Sequence, residues 1–92
     1  MNPVLRRLLV DAARDIQTCE VLTFLYRDHP QGASFAGLKE MLFLHEAFDE
    51  ARLQPLVTER MLACDGGRYT IAADARHILD RDPTILMEEF LR

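Results

Sequence analysis

The 92-residue chain is long enough for one domain and too short for two separate cores, so residues 1–92 are predicted to form a single domain. Apolar residues make up 49% of the chain, and a formal net charge of −4 disfavours general attraction to nucleic acid or to an anionic membrane. The sequence has no run of about 18 apolar residues and no secretory-type leader, which predicts a cytoplasmic protein without a membrane span.

The first periodic segment runs from Val4 to about Asp28. Asp11 and Asp15 are both suited to cap a second helix, so the segment is either one long helix or two. Residues 29–32, His-Pro-Gln-Gly, end it because proline cannot continue a helix and glycine favours a turn. The apolar residues recur every three or four positions and predict one buried stripe, formed by Leu5, Leu9, Ala12, Ile16, Cys19, Leu22 and Tyr26.

Ser34 is placed to cap a second helical segment, from about Phe35 to Leu44. Gly37 weakens this helix by about 1 kcal/mol relative to alanine, which favours a close contact at that position. The apolar positions expected to face the core are Phe35, Leu38, Met41, Leu42 and Phe43.

Asp49 is predicted to cap a third helix, from about Glu50 to Met61. Pro55 lies either well inside this helix or in its first turn, if the helix begins at Leu53, and both arrangements stay open. The expected buried stripe consists of Leu53, Leu56, Val57 and Met61.

A β-hairpin is predicted next, because Asp65-Gly66-Gly67 lies between two short apolar runs, 62–64 and 68–72. Tyr69 and Ile71 are expected on one face of the second strand. A helix from about 73 to 81 follows, with Ala75, Ile78 and Leu79 facing inward. Asp82 and Pro83 then suit the cap and first turn of a last helix, whose apolar face consists of Ile85, Leu86, Phe90 and Leu91.

The order of elements resembles the winged helix-turn-helix superfamily over about residues 16–79, with a core spanning about 16–82. The motif with this resemblance is Leu53-x-x-Leu56-Val57-x-x-x-Met61-Leu62-Ala63-x-x-Gly66-Gly67-x-Tyr69-x-Ile71-x-x-x-Ala75-Arg76-x-x-Leu79. It is similar to the family's third helix, its two wing strands and the start of the next helix. Ala72 and Ala75 stand where the family often has a threonine and a glycine. The resemblance implies a mostly α fold with a small hairpin and a three-helix core plus wing, with extra helices at both ends. The fold is used for both DNA and protein contacts.

The sequence offers no recognisable catalytic constellation. His29, His45 and His77 each lack a second ligand at helical spacing, and no phosphate loop, dinucleotide fingerprint or nucleophile elbow is present. Cys19 and Cys64 are far apart in apolar stretches and are expected to be buried, reduced thiols. The prediction is a non-catalytic protein with no catalytic residue, metal site or cofactor.

A candidate partner or DNA surface lies around the start of the third helix and the wing. In DNA-binding members of the resembled family this helix reads base edges and nearby cations hold phosphates. Here three carboxylates accompany a single arginine, which opposes phosphate binding. The preferred function is therefore a regulatory or protein-interaction module, and the alternative is a DNA-binding transcriptional regulator. The residues of this surface are Glu46, Asp49, Glu50, Arg52, Arg60 and Arg68.

The terminal helices, residues 3–15 and 83–92, contain more apolar side chains than one small core is expected to cover. They are predicted to dimerise or to dock into a partner protein, and packing against each other within one chain is the alternative. The residues of this candidate surface are Leu5, Leu8, Leu9, Ile85, Leu86, Phe90 and Leu91.

Overall fold

The N-terminal helical segment is divided at Asp15. The computed structural model describes residues 3–87, in which helix α1 spans Pro3–Ala12 and helix α2 spans Ile16–Thr23. The carboxylate of Asp15 accepts hydrogen bonds from the backbone N–H of Thr18 at 3.0 Å and from its hydroxyl at 2.6 Å. Such a cap satisfies a backbone donor that the first turn of a helix leaves without a partner. Of the two arrangements left open by the sequence, the structure shows two helices with Asp15 as the cap.

A π-helical turn, Phe24–Asp28, extends α2 as far as His29. The backbone N–H of His29 donates to the carbonyl of Phe24 at 2.8 Å, and the two rings lie 5.2 Å apart. The wide turn therefore ends where the predicted proline break begins.

Residues 3–87 contain a small three-stranded antiparallel sheet in the order β1-β3-β2. The predicted hairpin is confirmed: β2 (Leu62–Asp65) pairs with β3 (Arg68–Ile71) across two glycines with positive φ. Strand β1 (Ala33–Ser34) was not predicted, and it pairs with the other edge of β3, with Ala33 opposite Tyr69. Helices make up most of the described chain, as expected.

Helix α3 (Phe35–Leu42) begins where the sequence placed its cap, because the Ser34 hydroxyl accepts a 3.1 Å hydrogen bond from the Gly37 N–H. Its last residue is Leu42, two positions before the predicted end, and the residue that follows, Phe43, has a left-handed φ of 53°. Leu38 is buried, but Met41 is 58% exposed and Phe43 is 89% exposed. The prediction that both face the core is wrong. For Phe43 the reason is that the helical repeat stops at Leu42, whereas Met41 lies on the exposed side of α3 itself.

The third helix is shorter than predicted. A 3₁₀ helix, Glu50–Leu53, leads into α4 (Gln54–Thr58), with Pro55 in the first turn of α4. Proline is compatible with that turn, since no intrahelical partner is required of its nitrogen there. Asp49 precedes the 3₁₀ helix, but its carboxylate accepts no capping hydrogen bond from the described residues. Arg60 has a left-handed φ of 63° and ends the segment before Met61.

Both terminal helices pack into the core of the same chain. Helix α6 (Thr84–Met87) follows α5 (Ala73–Arg81) and contacts α1 and α2. The Cys19 thiol donates to the Leu86 carbonyl at 3.3 Å, and Arg6 pairs with Asp82 at 2.6 Å. Four residues of the predicted docking surface are no more than 5% exposed: Leu5, Leu9, Ile85 and Leu86.

Those four residues are buried within their own chain, as the intrachain alternative expects, and dimerisation or docking through the terminal helices stays a prediction. Leu8 is partly buried, whereas Phe90 and Leu91 lie outside the described residues. The reason is that α1 packs against α5 and α6, and α6 also packs against α2, so their apolar side chains belong to the same core cluster. The expectation of buried thiols holds for Cys19 and fails for Cys64, which is exposed on β2. Within residues 3–87, no helix has the length and apolar character that crossing a bilayer requires.

Candidate functional site

The connection between α3 and the 3₁₀ helix presents bulky apolar side chains to solvent. We call residues 40–50 the acidic-apolar turn, because they contain four carboxylates and no lysine or arginine. Met41 is 58% exposed and Phe43, which closes α3, is 89% exposed. A phenylalanine in the left-handed region is unusual, since asparagine or glycine fits there at lower cost. The most exposed aromatic side chain of residues 3–87 therefore occupies a strained position.

Two buried side chains and two hydrogen bonds hold the backbone of the acidic-apolar turn against the core. Leu44 and Phe48 are buried, 8% and 1% exposed, and fasten the turn to the core. Between them, the Nδ1 atom of His45 accepts a 3.0 Å hydrogen bond from the Ala47 N–H, and its carbonyl accepts one from the Phe48 N–H at 2.9 Å. This arrangement holds Phe43 outward on an ordered support.

Arg52, the cation of the predicted surface nearest to the acidic-apolar turn, is engaged within the chain. Its Nη2 atom lies 3.5 Å from a carboxylate oxygen of Asp15, and its guanidinium lies 5.2 Å from the centre of the Phe48 ring. The hydrogen bonds from Thr18 chiefly, and the Arg52 charge to a lesser degree, lower the pKa of Asp15. Asp15 therefore remains ionised beside Arg52 and offsets much of its positive charge.

Glu50 is likewise turned toward the protein. Its carboxylate accepts a 2.7 Å hydrogen bond from the hydroxyl of Tyr69, a buried residue of β3. That hydrogen bond, burial and the Glu50 charge raise the pKa of Tyr69. The contact joins the 3₁₀ helix to the sheet.

The three arginines of the predicted surface have three different sets of neighbours. Arg52 is bound to Asp15, and Arg68 donates to the carbonyl of Gln31 at 3.4 Å. Arg60 instead lines a groove of about 200 Å³ beside α1. Within residues 3–87, the three arginines are therefore engaged at three different places and do not form a shared phosphate-binding cluster.

The remaining two residues of that predicted surface, Glu46 and Asp49, are exposed within the acidic-apolar turn. Glu46, Asp49 and Glu50 thus share one stretch of chain with the exposed Met41 and Phe43, which the sequence interpretation had assigned to the core. The helical repeat gave no signal for Phe43, because it assumes that the helix continues past Leu42.

The groove beside Arg60 lacks the side chains that a catalytic or metal site requires. Besides Arg60 it is lined by Glu59, Asp74, Thr58 and three apolar residues of α1. It is shallow, with no histidine or cysteine in its lining, and no candidate nucleophile–base pair. Among residues 3–87, no group of three or more His, Cys, Asp or Glu side chains could hold a metal ion.

Comparison with protein-family models, with curated proteins and with solved structures found no match to this chain.

Proposed function

We propose that this protein is a non-catalytic, winged-helix-like interaction module that binds a partner protein through the acidic-apolar turn. The observation that carries the proposal is the exposure of Phe43 and Met41 on an ordered, acidic support. Single exposed apolar residues are common on protein surfaces, but an 89% exposed phenylalanine in a left-handed conformation costs stability without contributing burial. Such a residue is accounted for by a contact outside the chain.

The order of elements supports the winged-helix part of the proposal. After α2 the chain forms a short strand, two helical segments, a hairpin and a further helix, and β1 lies beside the hairpin strand β3. The family resemblance implies a three-helix core with a wing, and β2 and β3 stand in the position of that wing. The acidic-apolar turn then corresponds to the approach to the family's recognition helix.

Electrostatics favours a protein partner over DNA. The helical segment in the recognition position comprises a single 3₁₀ turn and a five-residue helix. Its arginine is paired with Asp15, and the exposed carboxylates beside it are those of Glu46 and Asp49. Each carboxylate opposes the counterion release that drives protein–DNA association.

Site-specific photo-crosslinking tests the function. A photoreactive phenylalanine analogue at position 43 is expected to crosslink one distinct protein in cells of the source organism. The same analogue at Val4, an exposed position on α1, is the control and should not yield that product. The proposal fails if position 43 yields no specific protein product.

A parallel titration with mixed-sequence duplex DNA at low salt tests the alternative. We expect no binding at micromolar protein concentration. Binding that weakens steeply with salt and is lost in Arg52→Ala or Arg68→Ala would instead assign DNA as the ligand.

A further inference from the structure

We infer that the partner recognised by the acidic-apolar turn is a positively charged protein segment with a bulky apolar anchor residue. This inference rests on the proposed function and specifies the chemistry of the partner. It follows from three observations on the same stretch of chain: its charge, the local engagement of the flanking cations, and the exposed apolar pair.

The acidic-apolar turn contains negatively charged side chains and no lysine or arginine. Glu40, Glu46, Asp49 and Glu50 lie within eleven residues that contain no lysine or arginine. Glu50 accepts a hydrogen bond from the Tyr69 hydroxyl, whereas Glu46 and Asp49 are exposed. Four carboxylates within eleven residues create a negative potential that a cationic segment relieves on binding.

The flanking cations are held against rings of their own chain. The Lys39 ammonium lies 5.8 Å from the centre of the Phe35 ring, and Arg52 is 5.2 Å from the Phe48 ring. Arg52 also pairs with Asp15. The ion pairs of residues 3–87 involve Asp11, Asp15 and Asp82 and none of the four carboxylates of the turn, so these are left for a cation from outside.

The apolar pair supplies the anchoring contact. Met41 and Phe43 are two residues apart, so their Cα atoms are at most about 7 Å from each other. Aromatic side chains are frequent at the centre of protein interfaces, since they bury a large area with few rotatable bonds, and methionine adapts its shape to a neighbour. An apolar residue between cationic ones on the partner would contact this pair while its charges meet the carboxylates.

Other occupants fit less well. A second copy of this chain has a net charge of −4, so like charge opposes self-association at an acidic surface. Nucleic acid and anionic lipid meet the same repulsion. The remaining class is a basic protein segment.

Selection from a library of short random peptides, displayed on phage and panned against the full-length chain, tests this chemistry. Enriched peptides are expected to combine lysine or arginine with leucine, phenylalanine or another bulky apolar residue. A synthetic peptide from the enriched set should bind at least about tenfold more weakly to Phe43→Asn than to the unaltered chain. Asparagine suits the left-handed backbone, so this variant should fold.

The charge component has its own variant pair. Glu46→Gln with Asp49→Asn should weaken binding of the same peptide about tenfold at low salt and flatten its salt dependence. The matched controls are Asp28→Asn, an exposed carboxylate outside the turn, and Val4→Ser, an exposed apolar residue on α1. Neither control should change the affinity by more than about twofold.

The possible outcomes separate the two proposals. Neutral or acidic peptides that need Phe43 would overturn the inference about charge while leaving the proposed function in place. Peptides whose affinity is insensitive to both Phe43→Asn and the double carboxylate variant would contradict both. Sedimentation showing a dimer that Phe43→Asn dissociates would assign a second copy as the occupant and overturn the inference.

Discussion

The hydroxyl of Tyr69 on β3 donates a 2.7 Å hydrogen bond to the carboxylate of Glu50 on the 3₁₀ helix. These residues are 19 positions apart, and the contact ties the hairpin to the segment that follows the acidic-apolar turn. The Tyr69 ring is 2% exposed, so the hydroxyl is held at the edge of the core.

Tyr69→Phe should lower the free energy of unfolding by about 1–2 kcal/mol at neutral pH, because a charge-assisted hydrogen bond is lost. Urea denaturation measures it. Tyr26→Phe is the matched control, since the Tyr26 hydroxyl bonds Asp80 on an exposed surface, and its effect should be smaller. An equal loss of unfolding free energy in the two variants would show that the Tyr69–Glu50 bond stabilises the fold no more than an exposed hydrogen bond does.

The same bond predicts a dependence on alkaline pH. The folded pKa of Tyr69 is raised above the ordinary value of 10.0. The unfolded state therefore loses its proton first, so the stabilisation is fully present below about pH 10 and is lost as the pH rises through the folded pKa. The ultraviolet absorbance of tyrosinate should show late ionisation, and Tyr69→Phe should flatten the decline in stability. Ionisation of both tyrosines near pH 10 in the folded protein would contradict this prediction.

Asp15→Ala should lower the free energy of unfolding by about 1 kcal/mol, because it removes the cap of α2. The folded pKa of Asp15 is below 3.8, so its contribution is present above that pH and is lost as the pH falls through the folded value. Thermal melts between neutral and strongly acidic pH measure both effects. Asp11→Ala, at the other cap position considered from the sequence, is the control and should leave stability within about 0.5 kcal/mol.

Gly32→Ala should destabilise the protein by at least about 2 kcal/mol. Gly32 has a φ of +95°, and an added Cβ would lie 2.6 Å from the carbonyl oxygen of Tyr69. Gly66→Ala is the matched control: its φ is +60°, and no described atom lies within 4 Å of an added Cβ, so only strain of about 1 kcal/mol is expected. Equal losses for the two variants would mean that the approach of Gly32 to β3 is relaxed in solution.

Leu86→Ala should cost about 2–4 kcal/mol, because Leu86 is 2% exposed in the core of its own chain. Chemical denaturation at two protein concentrations measures this and also separates the two arrangements considered for the terminal helices. Intrachain packing predicts the same midpoint at both concentrations. A midpoint that rises with concentration would indicate packing between chains.

Features set by neighbouring residues were predictable from the sequence. The caps at Asp15 and Ser34 depend on a side chain and an N–H three residues later, and the hairpin turn depends on adjacent glycines. Tyr69 and Ile71 alternate along one strand and are both buried, as the pattern indicates. Each of these decisions is made within a few residues, so the amino-acid types are sufficient evidence.

Features set by distant residues were not predictable. Strand β1 is two residues long and exists because β3, whose paired residues are 34 and 36 positions away, offers it an edge. Arg52 was grouped with the exposed surface, but its position is decided by Asp15, on another helix. Phe43 was assigned to the core by its spacing, and only the left-handed residue at the end of α3 reverses that assignment. Most of the candidate site depends on such distant contacts or on where a helix ends, and was therefore not predictable from local sequence.

The two cysteines differ in exposure, so the rate at which a reagent labels each thiol can measure local opening of the structure. Cys64 is exposed on β2 opposite Tyr69, whereas Cys19 is 0% exposed and bonded to the carbonyl of Leu86 on α6. A thiol reagent therefore labels position 64 at once and reaches position 19 when α6 leaves α2 or when the whole domain unfolds. The labelling rate of Cys19 thus reports the opening that exposes it, and comparison with the free energy of global unfolding separates departure of α6 from unfolding of the whole domain. A dye on Cys64 places a probe on the sheet that the Tyr69–Glu50 bond joins to the acidic-apolar turn.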